Sequence, residues 1–237
     1  MKALVVKNIS REGPGAIASV LRKHRIRFDV VDLARGSPLP DPIGYDAVYV
    51  MGGPSSANDG TALIGAEREF VKKTADLGIP YLGTCLGAQI LVVSCGGSVV
   101  SAKESEIGWR NPANGEPFEM VLNGNGKQDP LFEGMGNRLR VFHLHGEMFV
   151  PAPRMRLLAT GSVCHNQAVK VGKNAYGIQG HLELTDGMFG RWLREDTDLR
   201  KLDASALRAD YKAAKEEYRA VGARLFANFL RIAGFVE

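Results

Sequence analysis

The chain has few cysteines and no long apolar run, and these absences exclude several classes of protein. Its three cysteines, Cys85, Cys95 and Cys164, cannot all pair and show no metal-ligand spacing, so a disulfide scaffold is not expected. No segment approaches the roughly 20 consecutive apolar residues that a membrane helix needs. The N-terminal stretch MKALVVKNISREG also has no signal-peptide pattern. We therefore expect a cytoplasmic protein without a membrane partner.

A large excess of charge of one sign is absent as well. The chain has 30 basic and 26 acidic residues, a formal net charge of +4, and its basic residues do not form a stripe with aromatic ones. Binding to nucleic acid is therefore not expected. Because 45% of the 237 residues are hydrophobic and no repeat or linker interrupts the sequence, residues 1–237 are predicted to form a single domain.

The first part of the chain alternates between short apolar runs and helical patterns. The runs are rich in β-branched residues and nearly continuously apolar, as is typical of strands buried on both faces. They lie at 2–9, 27–33, 46–53 and 80–85, and the helical segments lie at 14–25 and 63–78. This alternation predicts an α/β protein with a doubly wound, mainly parallel sheet.

The texture of the sequence changes after Gly97. Short runs separated by turn residues, at 118–123, 138–144, 167–172 and 175–180, predict antiparallel strands appended to the sheet. Segment 194–203 is predicted to be a solvated loop or helix edge. The apolar residues of segment 204–233 follow i, i+4, i+7 spacing, which predicts one long C-terminal helix.

The stretch GTCLG, residues 83–87, places Cys85 between two glycines where a predicted strand meets a predicted helix. Such a turn strains the backbone of its central residue, and glycine two positions away on each side avoids a collision. The sulfur then lies at a helix N-terminus, which favours the thiolate, and the N–H of Leu86 can face an oxyanion. A structural cysteine in a tightly packed turn is the alternative interpretation.

A thiol nucleophile needs a base, and His181 is the best candidate. His181 and Glu183 are two residues apart at the end of a predicted strand, so both side chains point to one face. The carboxylate can hold one nitrogen of the imidazole and leave the other for Cys85. Chance polar alternation at an exposed strand end is the alternative, because H-x-E triplets are common.

Two further elements are placed to bind a substrate. Gln89 lies about one helical turn after Cys85 on the same helix face, so its amide can contact a ligand beside the sulfur. Segment 51–60, MGGPSSANDG, follows the third predicted strand and reaches the same edge of the sheet. There the N–H of Gly53 is a candidate second oxyanion donor, although G-G-P alone is only a turn signal.

Five motifs taken together resemble the class I (triad) glutamine amidotransferases. In chain order they are GGPSS, GTCLGAQ, EIGW, HLHGE and GIQGHLELT. The similarity runs from about residue 40 to the C-terminus and is strongest to stand-alone proteins that resemble the amidotransferase domain of GMP synthase. It implies a flavodoxin-like fold.

The resemblance also implies a role for each site residue. Cys85 would be the nucleophile, His181 the base and Glu183 the residue that orients the base. The substrate-binding groups would be the oxyanion N–H groups of Gly53 and Leu86, the side chain of Gln89 and the backbone at Gly146.

The implied reaction is hydrolysis of the γ-carboxamide of glutamine through a γ-glutamyl thioester. No metal or organic cofactor is expected. No synthetase domain is recognised after the motifs, so a separate synthetase partner would accept the ammonia. The sequence departs from the family pattern at Glu147, where the family has Asp, and at Gly180 and Leu182, which replace an aromatic residue and a proline.

Four alternatives stay open. The first is a free-standing γ-glutamyl peptidase. The second is a cysteine chaperone or deglycase of the same fold, although that branch has His where this chain has Leu86. The third is a metal hydrolase built on His143, His145 and Glu147, for which the sequence offers no convincing further ligands. The last is a non-catalytic binding protein.

Overall fold

The computed structural model describes residues 1–237. It has eleven strands, of which nine form one sheet and two form a separate pair. The strands are β1 Lys2–Lys7, β2 Arg27–Asp32, β3 Ala47–Val50, β4 Tyr81–Thr84, β5 Ser98–Gly108, β6 Glu119–Leu122, β7 Arg138–Arg140, β8 His143–Val150, β9 Arg156–Thr160, β10 Asn166–Val171 and β11 Ala175–Ile178. The helices are α1 Gly15–Lys23, α2 Ala62–Asp76, α3 Leu86–Ser94, α4 Gly124–Gln128, α5 Asp186–Glu195 and α6 Ala204–Ile232. None of these helices is long and apolar enough to cross a membrane.

The strand order of the sheet is β2-β1-β3-β4-β11-β10-β9-β6-β7. The five strands from β2 to β11 are mutually parallel, and the four beyond them pair antiparallel. The predicted mainly parallel sheet with appended antiparallel strands is therefore confirmed. The strand predicted at 175–180 differs in one respect. After its hairpin with β10, β11 pairs in parallel with β4 and so completes the parallel part.

Helices cover both faces of the parallel strands, which explains why those strands are apolar throughout. In β1, Ala3 and Val5 pack into the layer under α1 and α6, whereas Leu4 and Val6 pack into the layer under α2 and α3. Strand β2 departs from the prediction because it is the edge of the sheet and is only partly buried.

Three parts of the later chain differ from the prediction. The run at 138–144 divides into β7 and the start of β8, because β8 leaves the main sheet to pair with β5. The polar strand β5 and helix α5 were not predicted. Segment 194–203 is not simply solvated: Asp196 and Leu199 are buried, and Asp196 accepts hydrogen bonds from the backbone N–H groups of Asp198 and Leu199.

The predicted C-terminal helix is confirmed as α6. The side chain of Asp203 caps its N-terminus by accepting hydrogen bonds from two backbone N–H groups of the first turn. Its buried face packs against the sheet, with the ring of Phe229 5.1 Å from that of Tyr49. The residues of this face include Leu207, Tyr211, Tyr218, Leu225 and Phe229.

Helix α6 also holds segment 181–184 in place. The hydroxyl of Tyr218 donates a hydrogen bond to the carbonyl of His181 at 3.0 Å and accepts one from the N–H of Leu184 at 3.1 Å. One turn further on, a side chain at Gly222 would collide with the carbonyl oxygen of Leu182. Together with the backbone bonds of His181 to Phe142 and of Glu183 to Ala16, these contacts fix the segment.

Replacing Tyr218 with Phe should lower the free energy of unfolding by about 1–3 kcal/mol, because it leaves the buried N–H of Leu184 without a partner, whereas the carbonyl of His181 keeps the N–H of Phe142 at 3.3 Å. Tyr49→Phe is the matched control, since the buried hydroxyl of Tyr49 has no hydrogen-bond partner. That variant should be neutral or slightly stabilising. Denaturant unfolding monitored by circular dichroism measures both free energies. An equal loss of stability in the two variants would contradict a stabilising role for the hydrogen bonds of Tyr218.

Candidate active site

Cys85 lies in a strained turn between β4 and α3. Its backbone has φ 51° and ψ −109°, a conformation that residues with side chains adopt rarely. A side chain at Gly83 would collide with the backbone of Gly87, and one at Gly87 would collide with the carbonyl of Val50. Glycines on both sides of Cys85 therefore allow β3, β4 and the start of α3 to pack at backbone contact.

The structure brings Cys85, His181 and Glu183 together in the interior. Cys85 is 5% exposed, and the other two side chains are 1% exposed. Nδ1 of His181 lies 2.7 Å from Oε1 of Glu183. The imidazole also lies beside Cys85, since a side chain at Gly52 would be 2.9 Å from Cε1 of His181 and 3.4 Å from Cβ of Cys85. Oε2 of Glu183 accepts a hydrogen bond from the N–H of Leu182 at 2.9 Å, which fixes the carboxylate.

The protonation of His181 follows from these neighbours. Burial alone would lower its pKa, but the negative charge of Glu183 and the hydrogen bonds with Cys85 and Glu183 outweigh burial. The pKa of His181 consequently lies well above its ordinary value of 6.5. An imidazolium beside the sulfur is thereby stabilised in a site that is closed to bulk water.

The other two cysteines have different surroundings. All three are free and buried. Burial raises the pKa of Cys95, and burial together with the charge of Glu106 raises the pKa of Cys164 to about 12. Both therefore stay neutral thiols, and neither lies at a helix N-terminus beside a histidine.

The loop after β3 and the first residue of α3 meet next to Cys85. A side chain at Gly53 would lie 3.2 Å from Cδ2 of Leu86, and the amide of Asn8 holds the loop by donating to the carbonyl of Met51 at 3.1 Å. The side chain of Leu86 points into the core. Gly53 is therefore packed between Asn8 and the side chain of Leu86, the residue that follows the cysteine.

A pocket of about 420 Å³ opens above Cys85, and Gly53, Gln89 and Gly146 also line it. Nε2 of Gln89 donates to the carbonyl of Glu147 at 3.1 Å, which ties α3 to β8. The carboxylate of Glu147 accepts a hydrogen bond from the hydroxyl of Ser56 at 3.0 Å. The acidic residue at this departure from the family pattern thus connects two walls of the pocket.

A second buried polar cluster lies behind the pocket wall. Nε2 of His145 is 3.1 Å from Oε2 of Glu106, and Nε2 of His143 is 3.6 Å from the same oxygen. The hypothesis of a metal site built with Glu147 is wrong in this respect, because Glu106 is the carboxylate beside the histidines. Glu106, His145 and Cys164 do offer ligand atoms within 4.8 Å of one another.

Hydrogen bonds account for this cluster without a metal ion. Glu106 accepts from the N–H of Cys164 at 3.2 Å and from the amide of Gln167 at 3.1 Å. Burial would raise the pKa of Glu106, but the hydrogen bonds from His145 and from the N–H of Cys164 outweigh it and lower the pKa. Burial lowers the pKa of His143 to about 3, so that ring is neutral. The cluster is a hydrogen-bonded network that supports β5 and β8, in which Oε1 of Gln167 alone lacks a partner.

Three residues of the site were not predicted. Nε2 of Gln179 lies 3.9 Å from the sulfur of Cys85. Glu12 and Arg11, which follow β1, also line the pocket. The one available signal was their position after the first predicted strand, since the ends of parallel strands share the edge of a sheet where ligands bind.

Comparison with known proteins agrees with this architecture. The model of the glutamine amidotransferase class-I family matches residues 15–197. One of the subunits of the glutamine-hydrolyzing GMP synthase of Methanothermobacter thermautotrophicus is 31% identical over 152 residues, which cover 62% of this chain and 72% of that protein. The glutamine-hydrolyzing GMP synthase of Streptococcus mutans is 30% identical over 189 residues, which cover 79% of this chain but only 32% of that protein.

Solved structures show the same fold over nearly the whole chain. A glutamine amidotransferase from Thermotoga maritima superposes with a TM-score of 0.84 at 26% identity and covers 98% of each chain. A glutamine amido transferase from Methylobacillus flagellatus superposes with a TM-score of 0.85 at 22% identity, covering 98% of this chain and 94% of that one. This chain belongs to the class-I glutamine amidotransferase family.

Proposed function

We propose that the chain hydrolyses the γ-carboxamide of glutamine, with Cys85 as nucleophile, His181 as acid and base, and Glu183 as the residue that orients His181. The observation that carries the proposal is the buried contact of Cys85 with a histidine that a carboxylate holds at 2.7 Å, at the start of α3 and beside a pocket. This arrangement provides an activated thiol, a proton carrier and space for a small substrate.

The proposed reaction has two halves. In the first, Cys85 transfers its proton to His181, the sulfur attacks the γ-carbonyl carbon, and the C–N bond breaks as nitrogen takes the proton from His181. In the second, His181 activates a water molecule that hydrolyses the γ-glutamyl thioester and releases glutamate. The N–H groups of Leu86 and Gly53 hold the oxyanion in both halves, and one such donor contributes roughly 10²–10³-fold to a rate.

The glutamate part of the substrate is assigned to the pocket wall formed by α3 and β8. Gln89 is one helical turn from Cys85, and Gly146 lies in β8 beside the carbonyl that Gln89 holds. An exposed glycine backbone at Gly146 leaves its polar groups available for the amino-acid end of the substrate. The side chain of Gln89 then positions the chain of the substrate over the sulfur.

Hydrolysis of larger γ-glutamyl amides, as by a γ-glutamyl peptidase, is the second candidate. Besides the residues assigned to the glutamate part of the substrate, Arg11, Asp196 and Asp198 line the same pocket. This part of the pocket is assigned to the leaving amine. It favours a substrate whose amine is larger than ammonia.

A synthetase that accepts the ammonia is proposed as a partner in the first case. The support is the name of a relative, which is one of the subunits of a glutamine-hydrolyzing GMP synthase and matches this chain over 72% of its own length.

We also propose that residues 1–237 form one domain, since α1 and α6 pack together on the sheet although they lie at opposite ends of the chain.

The purified chain should release glutamate from glutamine or from γ-glutamyl dipeptides, equally well with a metal chelator present. Cys85→Ser should abolish the release, whereas the control Cys95→Ser should retain it.

A glutamine-like electrophile should label only Cys85, because Cys95 and Cys164 are buried with raised pKa values. Peptide mapping that found label on Cys95 or Cys164, with Cys85 unmodified, would refute the assignment.

Glu183→Gln should lower turnover by roughly 10³–10⁴-fold, as is usual when the orienting residue of a triad is replaced. The fold should persist, because an amide fills the same volume as the carboxylate. Near-ultraviolet circular dichroism checks that the packing is unchanged. Full activity in Glu183→Gln together with none in His181→Ala would show that another group orients the base.

A further inference from the structure

Glu12 is a buried carboxyl group that no protein group binds. Its side chain is 4% exposed, and it lines the same pocket as Cys85. The carboxyl has no hydrogen bond or ion pair within the protein. Its pKa is shifted only by burial and by charges that do not contact it. The oxygens of Glu12 are not among the fully enclosed atoms that lack a partner, so the carboxyl reaches the pocket, where a bound ligand can supply a donor.

The position of Glu12 is defined by its contacts around Gly52. A side chain at Gly52 would collide with Oε2 of Glu12 and would lie 2.9 Å from Cε1 of His181 and 3.4 Å from Cβ of Cys85. Glu12, His181 and Cys85 therefore converge on one point. Glu183 holds Nδ1 of the imidazole, and Glu12 lies on the Cε1 side of the ring.

Glu12 shares the pocket with the residues assigned to the glutamate part of the substrate, Gln89 and Gly146, but its own contacts are with Gly52 beside His181 and Cys85. The part of the pocket that Glu12 lines with Arg11 and Asp196 is therefore left for the leaving group. Arg11 does not pair with Glu12, because its guanidinium pairs with Asp196 at 2.6 Å. Glu12 is thus a carboxyl acceptor beside the imidazole that has no hydrogen-bond partner in the protein.

We propose that Glu12 accepts a hydrogen bond from the N–H of the departing nitrogen and so selects amides over esters. The role rests on the proposed function. When the sulfur bonds to the γ-carbon, the amide nitrogen becomes pyramidal, and a hydrogen bond from its N–H to Glu12 turns the lone pair towards His181. The C–N bond then breaks with its electron pair on nitrogen, nitrogen takes the proton from His181, and a neutral amine leaves.

The test compares γ-glutamyl methylamide with γ-glutamyl methyl ester, two substrates of similar size of which only the amide has an N–H. The ratio of their kcat/KM values, amide over ester, reports the acylation step. Glu12→Gln should lower this ratio about 10-fold, since it removes the charge and keeps an oxygen. Glu12→Met, which removes the acceptor, should lower it about 100-fold.

The control is Glu195→Gln, a like substitution at an exposed residue that pairs with Arg191 outside the pocket, and it should leave the ratio unchanged. An equal loss on both substrates in the Glu12 variants would overturn the proposal, because Glu12 would then only support His181. A wild-type protein that hydrolyses neither substrate would instead overturn the proposed function. Thermal unfolding verifies that each variant is folded.

The pH dependence of the ratio is a second readout. Burial raises the pKa of Glu12 to about 7, against the opposing effect of His181, so the carboxylate is present above about pH 7 and lost below it. The other charged groups that act on it are Glu183, Arg11 and Asp196. Titration of the triad affects both substrates and cancels in the ratio. The wild-type ratio should therefore rise with pH through about 7 and be flat in Glu12→Met, and a flat wild-type ratio would contradict the role.

Discussion

The strained backbone of Cys85 is the constraint on which the rest of the site depends. A conformation of this kind costs about 1–3 kcal/mol and persists only when its surroundings determine it. Here the N–H of Cys85 donates to the carbonyl of Ile178 at 2.8 Å, and its carbonyl accepts from the N–H of Gln89 at 3.0 Å. The turn is therefore bonded on one side to β11 and on the other to α3.

The same bond to β11 brings the two halves of the site together. Strands β4 and β11 pair in parallel with Thr84 opposite Ile178, so the segments that follow them leave the sheet at one edge. Cys85 follows β4 directly, and His181 follows β11 after two residues. Helix α6 then fixes the second segment through Tyr218. Sheet register sets the approach of sulfur and imidazole, and the long helix holds the backbone of the segment that carries the imidazole.

Local patterns predicted the parallel strands, α2, α6 and the cysteine turn, because apolar periodicity and paired glycines are properties of adjacent residues. They did not predict β5, whose polar sequence forms a strand only because β8 pairs with it. Burial of Asp196 likewise depends on Arg11. The carboxylate of the histidine cluster is that of Glu106, not that of Glu147, which is closer in the sequence. Each of these features is a contact between distant segments, which one sequence without its fold does not reveal.

Two carboxyl groups act on the imidazole of His181 in different ways because their surroundings differ. Glu183 is held by the N–H of Leu182 and by the imidazole itself, and its charge raises the pKa of His181. Glu12 has no such donors, and burial raises its own pKa to about 7. A carboxylate that is fully hydrogen bonded within the protein can orient the base but has little capacity left for a substrate. Glu12, which is buried without such donors, keeps its acceptor capacity for a substrate. The proposed division of roles follows from the hydrogen bonds that Glu183 makes and Glu12 does not.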